Sequence, residues 1–100
     1  MHREKQFVVY LLASKRNGTL YLGMTSNLSQ RIWQHKNHVT TGFSNSYSVT
    51  KLVWFELHET AESAIQREKQ IKKWNRNWKL DLIEKDNPEW RDLYPEIAAN

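Results

Sequence analysis

The chain has 100 residues, of which 39% are hydrophobic and 12% aromatic, a composition typical of one folded domain rather than a disordered chain. It contains no cysteine, which excludes disulfide scaffolds and thiolate metal sites, so any metal must be held by oxygen or imidazole. A formal net charge of +4 favours a polyanionic partner such as nucleic acid. The apolar run from Phe7 to Ala13 is too short to span a membrane. No cleavage-like site accompanies it, so we expect a cytoplasmic protein without a membrane partner.

The first predicted element is a β-hairpin. Residues Phe7 to Ala13 are apolar on both alternations, as in a strand that is covered on both faces. Asn17-Gly18 follows, and this dipeptide between two apolar runs is the strongest short hairpin signal, because both residues tolerate positive φ. The stretch from Thr19 to Met24 is then the returning strand.

The hairpin carries two tyrosines, and its register decides how far apart they lie. A two-residue turn predicts that Tyr10 pairs with Thr25 and that Tyr21 pairs with Ser14, which places both tyrosines on one sheet face. Four residues of strand then separate them, or roughly 13 Å. A longer turn or a bulge would shorten that distance, and the sequence leaves both arrangements open.

A helix is predicted to begin directly after the hairpin. Asn27 is a good N-cap and has Gln30 three residues later, which resembles a capping box. The helix should run from about Leu28 to His38. Within it, Arg31 and His35 are four residues apart, so their side chains project together beside the apolar stripe.

The rest of the chain is predicted to form a loop, one more strand, two more helices and a tail that docks onto the body. In chain order these are a polar loop from Val39 to Thr50 with Phe43 and Tyr47 as anchors or ligand contacts, a strand from Lys51 to Leu57, a helix from about Ala61 to Trp74, a short helix from Leu80 to Lys85, and a tail from Glu89 to Asn100.

One residue of the second helix is out of place. Its inward stripe should consist of Ala61, Ala64, Ile65, Glu68 and Ile71. A carboxylate at Glu68, in the middle of a small and apolar stripe, requires a charged partner, hydrogen-bond donors or a metal.

A basic ridge is predicted beyond that glutamate. Lys69, Lys72, Lys73 and Arg76 follow helical spacing on the side away from Glu68, and Lys79 continues the positive charge. Two tryptophans, Trp74 and Trp78, are interleaved with it.

Each of these signals has an ordinary structural alternative. The tyrosines could be packed strand aromatics, and Arg31 with His35 could be a solvated helix face. Glu68 could form a buried ion pair with Arg31, and the ridge could be a solvated surface. The order and spacing of the signals are more specific than any single one.

Taken together, the motifs resemble the GIY-YIG nuclease domain, most closely its short stand-alone bacterial members. The likeness covers nearly the whole chain, read as one domain (1–100) with a core over about 6–87 and a docked tail over 88–100. It rests on Val8-Val9-Tyr10, Tyr21-Leu22-Gly23 after ten intervening residues, Arg31 with His35, Glu68 and Asn87. The first motif has Val8 where the family name has glycine, and the second has Leu22 for isoleucine.

The resemblance implies a small α/β sandwich, in which a central three-stranded, mostly antiparallel sheet is flanked by helices. It also implies the roles of the site residues. Glu68 would bind one divalent metal, Mg²⁺ or Mn²⁺, and Tyr21 or Tyr10 would take the proton of the attacking water. Arg31 would hold the scissile phosphate, His35 would assist with protons or position the phosphate, and Asn87 would orient a nearby group.

The leading functional hypothesis is therefore a metal-dependent endonuclease acting on DNA, with RNA left open. With one small domain, we expect selection by DNA shape, such as branches or flaps, unless a protein partner supplies sequence specificity. The residues expected to contact nucleic acid are Lys69, Lys72, Lys73, Trp74, Arg76 and Lys79. Two other classes stay open: a nucleic-acid-binding module with little or no turnover, and a protein-interaction domain that docks a partner through its tryptophans.

Overall fold

The computed structural model describes residues 6–38 and 48–98. The three strands, the helix between the second and third strands and the next two helices follow the expected order, and a further short helix lies in the segment that was predicted as a tail. They are β1 (Phe7–Ala13), β2 (Leu20–Thr25), α1 (Leu28–Lys36), β3 (Lys51–His58), α2 (Ala61–Lys73), α3 (Arg76–Asp86) and α4 (Tyr94–Ala98). Phe43 and Tyr47, which were predicted as anchors or ligand contacts, lie outside the described part of the chain.

The sheet has the strand order β2-β1-β3, and both pairings are antiparallel. Strand β1 is central, and every residue in it after Phe7 is buried. This confirms the prediction from its apolar alternation, because a central strand between two helical layers has no solvated face. The three-stranded sheet with flanking helices is the fold class that the sequence predicted.

The predicted hairpin register was wrong. Tyr10 pairs with Gly23 rather than with Thr25, and Tyr21 pairs with Leu12. The connection is longer than the two-residue turn, because the Ser14 N–H bonds to the Thr19 carbonyl at 3.0 Å and closes a four-residue loop. The pairing is shifted by two residues from the predicted one, and because side chains alternate with a period of two, the faces stay the same while the tyrosines come closer together.

The two sheet faces carry separate cores. One face packs against α2 and α3 through residues that include Leu11, Ala64, Ile71 and Ile83. The other face carries Tyr10 and Leu12, which pack against Ile32 of α1 and against Tyr94 and Ile97 of α4. The domain is therefore a helix-sheet-helix sandwich, with the tyrosines on the α1 side.

The helical part of the chain differs from the prediction at one break. The helix predicted over Leu80 to Lys85 already begins at Arg76, because the Asn75 side chain caps it by accepting from the Trp78 N–H at 3.0 Å. The predicted stripe of α2 is also narrower than expected. Ala64 and Ile71 are buried, whereas Ile65 is 39% exposed.

The C-terminal segment packs onto the body. Trp90 is fully buried in the α2 side of the core. Asp92 accepts hydrogen bonds from the Leu52 N–H at 3.1 Å and from Lys36 Nζ at 2.5 Å, so it links β3 to the end of α1.

In the described ranges, no helix has the length and apolar character needed to cross a bilayer.

Candidate active site

Tyr10 and Tyr21 are brought together by the observed register. They lie on the same face of adjacent strands, and their ring centroids are 6.4 Å apart. Tyr10 is almost fully buried, with 2% exposure, whereas Tyr21 is half-buried. The site therefore has one enclosed phenol and one that reaches the surface.

Helix α1 adds an imidazole to the pair. His35 is buried, its Nε2 lies 3.2 Å from the Tyr10 hydroxyl, and the tautomer of the ring decides which of the two donates. Its ring is 5.3 Å from that of Tyr21. The start of α1 is fixed by Asn27, whose side chain accepts from the Gln30 N–H at 3.3 Å. This cap sets the helix at the end of β2, so that His35 points inward.

Gly23 makes room for the enclosed phenol. A Cβ atom at this position would lie 2.5 Å from the Tyr10 hydroxyl oxygen, closer than non-bonded atoms approach. The glycine of the Tyr21-Leu22-Gly23 motif is thus explained by sterics, because only a residue without a side chain lets Tyr10 cross the neighbouring strand.

The surroundings favour the neutral form of both buried groups. Burial raises the pKa of Tyr10 well above its ordinary value, with Tyr21 and Glu68 adding to the rise and Arg31 opposing it. Burial also lowers the pKa of His35, and the nearby positive charge of Arg31 lowers it further. Near neutral pH both groups are therefore uncharged.

Arg31 and Glu68 supply the charges at the edge of this cluster. Arg31 is exposed on α1 and Glu68 is half-buried on α2, and both charges act on the Tyr10 hydroxyl. Within residues 6–38 and 48–98, neither forms a hydrogen bond or an ion pair with a protein group. The alternative of a buried Arg31–Glu68 ion pair is therefore wrong, and both side chains face solvent with their charge available.

The carboxylate of Glu68 is a reasonable ligand for a single Mg²⁺ or Mn²⁺. No group of three or more acidic or histidine side chains that could hold a metal occurs in the described part of the chain. Mg²⁺ usually keeps several waters and is often held by one or two carboxylates together with substrate phosphates. A half-buried carboxylate without a protein partner fits that requirement.

Asn87 is placed apart from these residues by its hydrogen bonds. It is buried at the end of α3, where its Nδ2 donates to the Val53 carbonyl at 3.1 Å and to the Arg91 carbonyl at 2.9 Å. Its Oδ1 accepts from the Arg91 N–H at 3.0 Å. All these partners are backbone groups, so the geometry gives Asn87 the task of fastening the C-terminal segment to β3.

The predicted basic ridge is divided between two helices. Lys69, Lys72 and Lys73 are exposed on α2, but Arg76 lies beyond the break, and its guanidinium donates to the carbonyls of Asn17 and Gly18 at 2.8 and 2.6 Å. The prediction that Arg76 continues a helical ridge with the three lysines was therefore wrong. Lys72 is also one turn after Glu68, so positive charge borders the glutamate instead of facing away from it.

A polar network on the other flank of α2 was not predicted. The His58 ring contacts Ser63 Oγ at 2.5 Å and Glu56 Oε1 at 2.7 Å, and the same carboxylate oxygen accepts from Arg67 Nε at 3.0 Å. Its members come from β3 and from α2, and no spacing rule connects them in the sequence.

The chain is similar to known proteins in sequence and in fold. The family model described as the GIY-YIG catalytic domain matches residues 6–81. A UPF0213 protein of Clostridium perfringens is 43% identical over 75 residues, which cover 75% of this chain and 80% of the relative. A UPF0213 protein of Syntrophus aciditrophicus is 37% identical over 86 residues, which cover 85% of this chain and 95% of the relative.

A solved structure shares the fold. The solution NMR structure of a UPF0213 protein from Bacillus halodurans superimposes with a TM-score of 0.56 at 21% identity. The match covers 90% of this chain and 95% of the other. The two proteins therefore share the fold over most of the length of each chain.

Proposed function

The chain belongs to the GIY-YIG catalytic domain family, and from that premise we propose that it is a metal-dependent endonuclease that hydrolyses DNA phosphodiester bonds. Membership of the family gives a nuclease-type fold and implies a nucleic acid substrate. The metal dependence, the roles of the residues and the preference for DNA shape are the parts that we propose.

The observation that supports the proposal most is the composition of the site. Two phenols and an imidazole form one contact cluster, and a cation from α1 and an anion from α2 both act on the Tyr10 hydroxyl. Hydrolysis of a phosphodiester needs a group that takes a proton from water, a cation for the phosphoryl oxygens and a metal ligand. Tyr21, Arg31 and Glu68 provide one group of each kind.

We assign the role of base to Tyr21 rather than to Tyr10. The pKa of Tyr10 is raised mainly by burial, and a base in its position would have to become a buried phenolate. Tyr21 is half-buried, so water and substrate can reach its hydroxyl. In this account Tyr10 and His35 hold each other and support the Tyr21 ring.

The reaction then proceeds as an in-line displacement. Tyr21, acting as a phenolate, accepts a proton from water, the oxygen of that water forms a bond to phosphorus, and the bond from phosphorus to the 3′ oxygen breaks. Solvent donates a proton to the leaving 3′ oxygen, which gives a 5′-phosphate and a 3′-hydroxyl, and Tyr21 then releases its proton to solvent. Arg31 stabilises the negative charge that develops on the phosphoryl oxygens, and its planar guanidinium can donate two hydrogen bonds to them.

Glu68 would hold the divalent metal. When bound, the metal supplies Lewis-acid stabilisation of the phosphate. The part played by the chain is to keep this carboxylate half-buried and without a protein partner.

Positive charge beside Glu68 supports binding of the nucleic acid backbone. Lys69 and Lys72 are exposed within one turn of Glu68 on α2. Lysine contacts to phosphates carry little sequence information. We therefore propose selection of branched or flapped DNA by shape, with any sequence specificity supplied by a protein partner.

A cleavage assay tests the proposal. Wild-type protein is incubated with end-labelled branched and linear DNA in Mg²⁺ or Mn²⁺, beside Glu68→Ala and, as a matched control on the same helix, Glu62→Ala. We expect metal-dependent cleavage by the wild type and by the control, and loss of cleavage in Glu68→Ala. Cleavage that survives Glu68→Ala unchanged would contradict the site.

A nucleic-acid-binding module without turnover is the second candidate. It is favoured by the exposed lysines that continue along α2 beyond Glu68, such as Lys73 at the end of the helix. Its signature is salt-dependent binding with no cleavage in any divalent metal, weakened by Lys72→Ala/Lys73→Ala but not by Glu68→Ala.

A further inference from the structure

A groove of about 760 Å³ lies on the flank of α2 that faces β3 and the start of α3. Ser63, Arg67 and Gln70 line it, and they recur at helical spacing on one side of α2. Glu68 follows Arg67 by one residue, which is about 100° around the helix. The groove and Glu68 are therefore on different flanks of the same helix.

One wall of the groove is an exposed aromatic ring. Trp78 is 55% exposed, and it meets the half-buried Trp74 edge to face at 5.9 Å. The Arg67 guanidinium lies 5.3 Å from the Trp74 ring centroid and covers that ring. Trp78 is thus the ring that offers a stacking surface, and the Asn75 cap of α3 fixes its backbone.

The opposite side of the groove is polar and held in place. His58 is positioned by Ser63 and Glu56, and Arg67 donates from Nη1 to the Gln70 side-chain oxygen at 2.7 Å. The hydrogen bond from Arg67 fixes the orientation of the Gln70 side-chain amide, and its NH₂ group can donate to a ligand. Such a donor suits the carbonyl and ring-nitrogen acceptors on the edge of a nucleobase.

The rim of the groove is positively charged. Lys69 and Lys73 are exposed on it, and the described residues that line the groove include no aspartate or glutamate. An aromatic wall, amide donors and two lysines match a nucleotide, in which a planar base is attached to a phosphate.

We propose that this groove binds an unpaired nucleotide of the DNA substrate, with the base stacked on Trp78 and the adjoining phosphates on Lys69 and Lys73. The inference rests on the proposed function only in taking DNA as the ligand. A base within a duplex already has neighbours on both faces, so an open tryptophan face selects a base that is free of its stack. A peptide partner is disfavoured because the groove presents cations beside its aromatic wall.

The placement of the groove connects it with the cleavage site. The exposed outer face of α2 carries Lys72 near Glu68 and then Lys69 and Lys73 towards the groove. The distance across a helix is about 10–12 Å. A single strand that leaves the cleavage site can cross this face along the lysines. The groove would then bind an unpaired arm of the DNA next to the position of cleavage.

Equilibrium binding without divalent metal tests the inference separately from cleavage. Labelled single-stranded DNA of mixed sequence and the matching duplex are titrated with the full chain in EDTA at one salt concentration. The variants are Trp78→Ala, Trp78→Phe and, as a matched control, Trp33→Ala, which removes another exposed tryptophan from α1 (51% exposed). Lys73→Ala serves as a second variant that leaves the aromatic packing intact.

We expect Trp78→Ala to raise the Kd for single-stranded DNA about tenfold, with the duplex changing less than about twofold. Trp78→Phe should retain most of the affinity, and Trp33→Ala should behave as the wild type. Lys73→Ala should lower the slope of log K against log salt by about one.

The inference is overturned if Trp78→Ala binds single strands as the wild type does, or if it weakens single-strand and duplex binding equally. Failure of the wild type to bind single-stranded DNA also overturns it and leaves the groove to a protein partner. A protein that binds through Trp78 but cuts nothing contradicts the proposed nuclease and supports the groove. A protein that cuts DNA, and whose single-strand binding is unchanged by Trp78→Ala, supports the proposed nuclease and contradicts the proposed role of the groove.

Discussion

Tyr10 with His35 and Arg31 with Glu68 form two parts of the proposed site, and they differ in burial and in pairing. Tyr10 and His35 are almost fully enclosed, at 2% and 3% exposure, and contact each other at 3.2 Å. Arg31 is exposed and Glu68 half-buried, and within the described ranges no protein group pairs with either.

The difference shows that a small domain can use one pair of side chains to hold the site together and another pair to contact the substrate and the metal. The enclosed pair is neutral, because burial works against a charged phenol and a charged imidazole. The outer pair is reached by solvent, so a phosphate or a metal can approach both side chains. Substitutions should therefore act on stability in the first pair and on catalysis in the second.

The largest effect is expected at Arg31. Arg31→Ala should lower the cleavage rate by about 10³-fold, because one donor to the developing charge is lost. Arg31→Lys should recover only part of it, since an ammonium group lacks the planar fork. The exposed side chain has no protein hydrogen bond in the described part of the chain, so the melting temperature should hardly change. Arg16→Ala, in the exposed hairpin loop, is the matched control in the same single-turnover assay.

The second-largest effect is expected at the two tyrosines, where substitution of Tyr21 should lower the cleavage rate and substitution of Tyr10 should lower the stability. Tyr21→Phe should lower the cleavage rate by about 10²-fold, the lower end of the range for a general base. Tyr10→Phe should reduce the free energy of unfolding by about 0.5–1.5 kcal/mol through the lost contact with His35, and should leave cleavage within about tenfold. Single-turnover rates and denaturant titrations measure the two effects. A greater loss of rate in Tyr10→Phe would reassign the base.

Asn87→Ala should act on stability alone. It removes a buried side chain that serves three backbone groups, so we expect a loss of about 2–3 kcal/mol in the free energy of unfolding. Cleavage per folded molecule at low temperature should stay unchanged. A fall in that rate at wild-type metal affinity would restore the catalytic role that the family resemblance suggests.

Gly23→Ala should damage the enclosed pair through sterics. The added methyl would lie 2.5 Å from the Tyr10 hydroxyl oxygen, so strain should cost about 1–3 kcal/mol. The double variant Gly23→Ala/Tyr10→Leu should recover part of this loss, because the hydroxyl oxygen at 2.5 Å and the ring carbon Cζ at 2.6 Å are both gone. Strictly additive losses in a double-mutant cycle would rule out the steric explanation.

The smallest effect is a pH dependence from His35. Because burial lowers its pKa below the ordinary value of about 6.5, the unfolded chain takes up the proton first as the pH falls. The stabilising contribution is complete above that value, and it declines as the pH falls from about 6.5 through the lower pKa of the folded protein. His35→Gln should flatten the curve of unfolding free energy between pH 7 and 5.5. An unchanged slope would contradict the burial effect.

The sequence predicted the strands and the first helix because the signals for them are local. The apolar run of β1 and the Asn27 cap each depend on adjacent residues. The hairpin register was missed because Asn17-Gly18 marks a turn but not its length, and the Ser14–Thr19 hydrogen bond that sets the length has no distinctive signal. The Asn75 cap was readable in principle, but the basic ridge was continued past it to Arg76, and the next helix was predicted to begin only at Leu80.

The site was predictable in its residue types but not in its distances. Glu68 could be singled out as a carboxylate on an apolar stripe. The contact between Tyr10 and His35 depends on the register and on the angle at which α1 crosses the sheet, and both are set by packing at long range. The groove beside Trp78 combines β3, α2 and α3, so only the folded chain brings its residues together.

The central claim is that Glu68 binds a metal next to the tyrosines, Arg31 and His35. Paramagnetic Mn²⁺ tests it directly, because it broadens NMR signals of nearby nuclei in isotope-labelled protein. We expect selective broadening at Tyr21, Arg31 and His35 in the wild type and in Glu62→Gln, and no such broadening in Glu68→Gln. Broadening centred elsewhere, or unchanged by Glu68→Gln, would contradict the account.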